Sequence, residues 1–129
     1  MVAMSFLQNW FRAHLKHDWA NKRCVAARYA TGDGVNKNEA RARIWYARAA
    51  KAGDVTALYD LGMMLILGEG GPVDEPGGQA MLLDAANQGD PEAQKVLTYA
   101  FTDGLYGFPV EPPKANHWRR LAESQGMQV

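Results

Sequence analysis

One cysteine, Cys24, stands in 129 residues, which excludes an intrachain disulfide and fits a reducing compartment. No apolar run approaches the roughly 18 residues needed to span a bilayer, so no membrane partner is expected. The opening stretch MVAMSFLQNWFRAHLK has no basic n-region, and its short, interrupted apolar run is unlike a signal peptide. These absences predict a cytoplasmic protein. Cations are scarce where acids are dense. Between residues 53 and 112, Lys95 stands alone against ten carboxylates, a balance of −9. Residues 1–52 invert this with ten Lys and Arg against Asp18, Asp33 and Glu39, a balance of +7, and the last 17 residues add +2. The acidic middle interrupts any continuous track for phosphates, so nucleic acid is not an expected partner. The asymmetry fits a charged surface that serves solubility alone, and equally the steering of a partner protein or head-to-tail contact between copies.

What is present is a period. The stretch from Gly53 to Gly70, GDVTALYDLGMMLILGEG, reads as one short helix between two turn signals. Gly53 is placed to end the preceding helix, and Asp54 to cap the next through its carboxylate. A shift of 36 in either direction takes Asp54 to Asp90 and Asp18, Leu61 to Leu97 and Val25, Leu65 to Phe101 and Tyr29, and Gly68 to Gly104 and Gly32. Such a period is the signature of a solenoid, in which no unit buries its apolar face alone.

The expected fold is all-α: a right-handed α/α solenoid of about three helix-turn-helix repeats plus an N-terminal capping helix, about seven helices in one domain. Residues 1–17 form the cap, and 18–53, 54–89 and 90–126 the repeats. In the cap, Leu7, Trp10, Phe11, His14 and Leu15 share a helical face, and Trp10 and Phe11 echo Trp45 and Tyr46. The first repeat turns Val25, Ala26 and Tyr29 inward from its helix A and Ala42, Trp45, Tyr46, Ala49 and Ala50 from its helix B. The second uses Ala57, Leu61, Gly62 and Leu65, then Met81, Leu82, Ala85 and Ala86. The third opens at Asp90-Pro91, a cap followed by proline at the first helical position. Its loop holds one extra residue, and its helix B carries Ala115, Trp118 and Ala122.

Ala57-x3-Leu61-Gly62-x2-Leu65-x2-Gly68-x-Gly70 and Ala42-x2-Trp45-Tyr46-x2-Ala49-Ala50-x2-Gly53 carry a resemblance. The pattern resembles the Sel-one-like repeat, a relative of the tetratricopeptide repeat, over residues 18–126. Asn21 and Gly78 depart from it, each standing where the pattern has alanine. The resemblance implies a non-catalytic adaptor that binds other proteins. An alternative it also implies is a bacterial immunity protein or inhibitor that occludes a cognate secreted toxin. Relatives proposed as hydrolases need paired cysteines in each repeat, which a single Cys24 does not provide.

Chemistry is otherwise sparse. His14, His17 and Asp18 fall at i, i+3 and i+4, a spacing that could gather metal ligands at a helix end. The repeat already accounts for Asp18 as a cap and His14 as a core-edge residue, so no metal is assigned. No Ser-His-Asp set or nucleophile elbow suggests itself. The glycine pairs Gly32/Gly34 and Gly68/Gly70 follow helices, whereas a phosphate cradle joins a strand to a helix. Neither an enzyme nor a cofactor is expected.

The informative feature is a face. At 100° per residue, Tyr59, Asp60, Met63, Ile66 and Leu67 lie opposite the consensus core of their helix. In a paired-helix solenoid that face of helix A lines the concave surface. Arg23, Tyr59, Met63, Lys95 and Tyr99 are the expected partner-binding residues, because aromatic, Met and Arg side chains suit recognition surfaces. Ile66 and Leu67 also have an alternative place, packed against neighbouring helices. Arg41, Arg48 and Lys51 form a rival basic stripe on the outer helix. The expected oligomeric state is a monomer or weak homo-oligomer.

Overall fold

The computed structural model describes residues 5–13 and 19–129, and among them seven helices and no strand. They are α1 (Phe6–Ala13), α2 (Trp19–Thr31), α3 (Glu39–Lys51), α4 (Val55–Leu67), α5 (Glu75–Asn87), α6 (Pro91–Asp103) and α7 (Pro112–Ser124). Six of them run for 13 residues each.

Helix starts follow from side-chain oxygens that accept from orphan backbone N–H groups. Asp54 Oδ1 accepts from the Ala57 N–H at 3.2 Å, Asp74 Oδ1 from Gly77 at 3.0 Å, Asp90 Oδ2 from Ala93 at 2.8 Å, and Asn38 Oδ1 from Arg41 at 3.0 Å. Helix α7 begins differently. Glu111 makes no capping bond and its carboxylate turns to Lys114 Nζ at 2.9 Å. Pro112 eases that start, since it brings no N–H to satisfy. Helices α4 and α6 both end on a left-handed glycine, Gly68 and Gly104.

Each A-to-B loop is closed by one equivalent backbone bond. Asn38 N–H donates to Tyr29 O at 2.8 Å, Asp74 to Leu65 O at 2.8 Å, and Glu111 to Phe101 O at 2.9 Å. The extra residue of the third loop is absorbed inside that frame. Tyr106 takes a positive φ of 55°, Gln79 Nε2 holds its carbonyl at 2.7 Å, and Phe108 packs its ring 5.0 Å from that of Phe101.

The core divides into two clusters with α4 between them. Ala57, Leu61 and Met64 of α4 join Val25, Tyr29, Trp45 and Tyr46 in the first, against which Phe6 and Trp10 of α1 also pack. Ile66 of the same helix joins Leu82, Leu97, Phe101 and Trp118 in the second. A central helix in a stack is covered on both flanks, so its apolar arc is wider than one consensus stripe. That is why Met64 is buried although the pattern did not select it; Leu65, expected in the core, is only half-buried at the edge of the first cluster. The packing role expected of Trp10 is met. Phe11 lies outside the described side chains, and His14, His17 and Asp18 outside the described residues.

Gly78, where the pattern has alanine, has a packing reason. A Cβ there would stand 2.5 Å from Ile66 Cγ1 and 2.6 Å from Gly62 O. The pair Gly62/Gly78 lets α4 and α5 approach closely while Ile66 fills the space a methyl would have taken.

Candidate partner-binding face

The residues that sequence reasoning assigns to recognition sit on α2, α4 and α6. Arg23, near the middle of α2, is engaged within the chain. Its Nε lies 3.0 Å from Asp54 Oδ2, and the Asp54 side chain is almost wholly buried. Asp54 therefore caps α4 with one oxygen and ties α2 to it with the other. Tyr59 and Met63 are half-buried, packed with Val96 against the second cluster. Lys95 is half-buried, and Tyr99 is the open member, 41% exposed. Ile66 and Leu67 part company: Ile66 is core, and Leu67 stands exposed at the helix end.

Electrostatics show which groups face one another. Burial pushes the Asp60 carboxyl up to about 6. Arg23 opposes that rise, while the charges of Asp90 and Asp54 reinforce it. The Tyr59 hydroxyl is pushed up to about 12, by burial first and then by Glu92, Asp60 and Asp90. Tyr46 is likewise raised to about 12 by burial and by Asp60, with Arg23 acting against them. Asp90 is raised by burial, against the Ala93 N–H bond, with Glu92 and Asp54 adding repulsion. One connected field thus runs from Arg23 through Asp54 and Asp60 to Asp90 and Glu92, and its sign is negative.

The face differs from the expectation in this respect. The carboxylates Asp60, Asp90 and Glu92 all act on Tyr59, so its surroundings are negative. Asp60 was visible in the arc opposite the consensus core, but its partial burial and the approach of Asp90 depend on how α4 and α6 stack. Among the described residues no three His, Cys, Asp or Glu gather as a metal site. Cys24 is half-buried and its sulfur accepts from Asn9 Nδ2 at 2.9 Å.

The outer helices carry a second feature. Trp10, Tyr29, Arg41, Ile44, Trp45 and Arg48 line a groove of about 300 Å³ between α1 and α3. Arg41 lies over the Tyr29 ring at 5.8 Å and Arg48 over Trp45 at 4.7 Å. Of these, the sequence pattern marks Arg41 and Arg48 as a basic stripe. The ring under Arg48 is Trp45 of the same helix, three residues back, whereas Tyr29 reaches Arg41 only through the pairing of α2 with α3.

Among the described residues, seven helices packed against one another in sequence order define a helical-repeat module. The Sel1 repeat family model matches residues 25–54, 55–90 and 91–127, and the chain belongs to that family. Sel1 repeat proteins generally are non-catalytic scaffolds that mediate protein–protein interaction. The fold is similar to that of a Sel1 repeat protein from Oxalobacter formigenes, with a TM-score of 0.80 and 28% identity over 84% of this chain and 44% of that one. It is also similar to a protective antigen of uropathogenic Escherichia coli that displays an SLR fold, with a TM-score of 0.78 and 30% identity over 84% of this chain and 23% of that one. The chain thus spans less than half the length of either. The right-handed α/α solenoid expected from the period is the fold found. Comparison with curated proteins finds no match. No helix among the described residues is long and apolar enough to cross a membrane.

Proposed function

We propose that this protein is an adaptor whose helix-A face, the concave side of the solenoid, holds a basic segment of a partner protein. Tyr59, Met63, Lys95 and Tyr99 make the contacts, with Arg23 at the edge of the groove. The observation that carries this reading is the set of carboxylates around Tyr59: Asp60, held at about 6 by burial first and then by the charges of Asp90 and Asp54, with Glu92 adding negative charge beside the Tyr59 ring. An incoming Lys or Arg relieves that repulsion and finds the faces of Tyr59 and Tyr99 as cation–π platforms. Met63 adapts to whatever apolar side chain lies beside it. Arg23, already turned to Asp54, supports the groove, and the half-buried Lys95 meets a partner acid beside it.

Two baits from the native cell test this, the unaltered protein and Tyr59→Ala with Tyr99→Ala. Bound proteins are identified by mass spectrometry, and the specific one is then titrated as purified protein. Retention by the unaltered bait with loss from the variant is expected. A partner held equally by both, and released on reversing Arg41 and Arg48, would place binding on the outer side.

A further inference from the structure

We propose that the protein pairs with a second copy of itself through the outer surface of α3, as a two-fold dimer. The basic groove of each copy receives the acidic loop 68–74 and the first turn of α5 of the other. Among the described residues neither Arg41 nor Arg48 has a carboxylate partner, although both guanidinium groups are held in place over aromatic rings. The two lie seven residues apart on α3, about two turns or roughly 10 Å. Ile44 projects between them with 51% of its surface exposed. The groove therefore reads cation, apolar, cation along one line.

The chain carries the complement of that line. Between α4 and α5, Glu69 and Glu75 stand on either side of Val73 in sequence; Val73 is 62% exposed, both acidic residues are exposed, and the Glu75 carboxylate lies at the α5 end, beside Gly107. That reads anion, apolar, anion. The loop is held firmly enough to present it. Arg43 Nη2 donates to Pro72 O at 2.7 Å, and Gly70 lies directly against the Glu39 backbone, where a side chain would not fit. These contacts lay the loop along one flank of α3, while the groove toward α1 runs along the other. The groove and the loop thus border the same helix, with Glu75 at the loop's far end. A two-fold axis passing beside α3 brings each groove onto the partner's loop at once, which is the condition for a closed, self-complementary interface. The opposite charge of residues 1–52 and 53–112 favours this encounter over any like-with-like contact. The interface is separate from the helix-A face, so it leaves the proposed partner groove open.

Sedimentation equilibrium of the intact protein, up to about 200 μM, decides the matter. A dimer is expected near 0.05 M salt, with a dissociation constant that rises at least about tenfold near 0.5 M as the exposed pairs are screened. Reversing the groove (Arg41→Glu with Arg48→Glu) should give a monomer, as should reversing the loop (Glu69→Lys with Glu75→Lys). Asp74 is spared because it caps α5. Mixed in equal amounts, the two reversed proteins should form a one-to-one heterodimer, since each groove then meets a loop of opposite sign. Helical content and melting temperature confirm that the variants fold, and Ile44→Ser tests the same surface without charge reversal. It should weaken the dimer at least about fivefold, against tyrosine-variant protein (Tyr59→Ala with Tyr99→Ala) that dimerises normally. Overturning results are a monomeric unaltered protein at low salt, a dimer that survives both reversals, reversed proteins that fail to pair, or open-ended growth in size.

Discussion

Arg23 Nε and Asp54 Oδ2 lie 3.0 Å apart, and that pair joins the middle of one A helix to the cap of the next. The Asp54 side chain is almost wholly buried while about a third of Arg23 remains exposed. Removing the cation leaves a buried carboxylate without its counter-charge. Arg23→Ala should therefore cost about 1–3 kcal/mol, below the figure for a fully buried pair because solvent reaches the guanidinium. Urea unfolding measures it. A midpoint unchanged in this variant would mean that the pair is incidental.

Leu61, 7% exposed in the first cluster, tests the core between repeats. Leu61→Ala should lose about 2–5 kcal/mol through transfer energy and the cavity left behind. That is a large share of the stability of a small domain. Chemical denaturation of the purified variant gives the value.

Gly78→Ala tests the close approach of α4 and α5. Ordinary helix propensity favours alanine, and so does the repeat pattern. The methyl would nonetheless meet Ile66 Cγ1 and Gly62 O, so a loss of about 1–3 kcal/mol from overpacking is expected. Gly78→Ala combined with Ile66→Ala should cost less than the two losses added. A thermal melt of the three variants shows whether the terms couple.

Asp60 gives the pH dependence a sign. Its folded pKa of about 6 lies above the ordinary 3.8, so the folded state holds the proton more tightly than the unfolded one. The stabilising contribution is fully present below about pH 4 and disappears as pH rises through about 6. Asp90, raised in the same direction, adds to that slope. A rise from 3.8 to about 6 corresponds to roughly 3 kcal/mol, which partial solvent contact reduces to about 1–2 kcal/mol. Asp60→Asn should thus raise stability at pH 7 and flatten the melting temperature between pH 4 and 6. A variant with the unaltered protein's pH slope would contradict this.

Binding of the basic partner segment should respond to the same group. Below about pH 6 Asp60 takes up its proton and the attraction for a cation weakens, so affinity should fall between pH 7 and 5. Tyr59→Ala with Tyr99→Ala should cost a further 2–4 kcal/mol, roughly, at pH 7. Calorimetric titration at both values reads the two effects separately.

Local signals carried most of the architecture. The aspartates at 54 and 90, the glycines at 68 and 104 and the apolar spacing between them are short-range instructions that need no knowledge of neighbours. The helix boundaries consequently fall where those residues put them. The place of α4 was not legible in the same way. Burial of Met64 and Ile66 on two different clusters follows from which helices flank it, a relation between residues far apart in sequence. Gly78 likewise looks like an ordinary departure from the pattern until Ile66 is seen in the space of its missing methyl. The same holds for charge. Composition reveals a basic beginning and an acidic middle, but pairing of Arg23 with Asp54 depends on the stacking of α2 against the start of α4. Helix pairing also sets Arg41 on the Tyr29 ring of α2, while Arg48 over Trp45 is a contact within α3. Periodicity acts along the chain and can be read from it. Which charges are neutralised inside and which face outward is settled across helices, where desolvation and distance take effect.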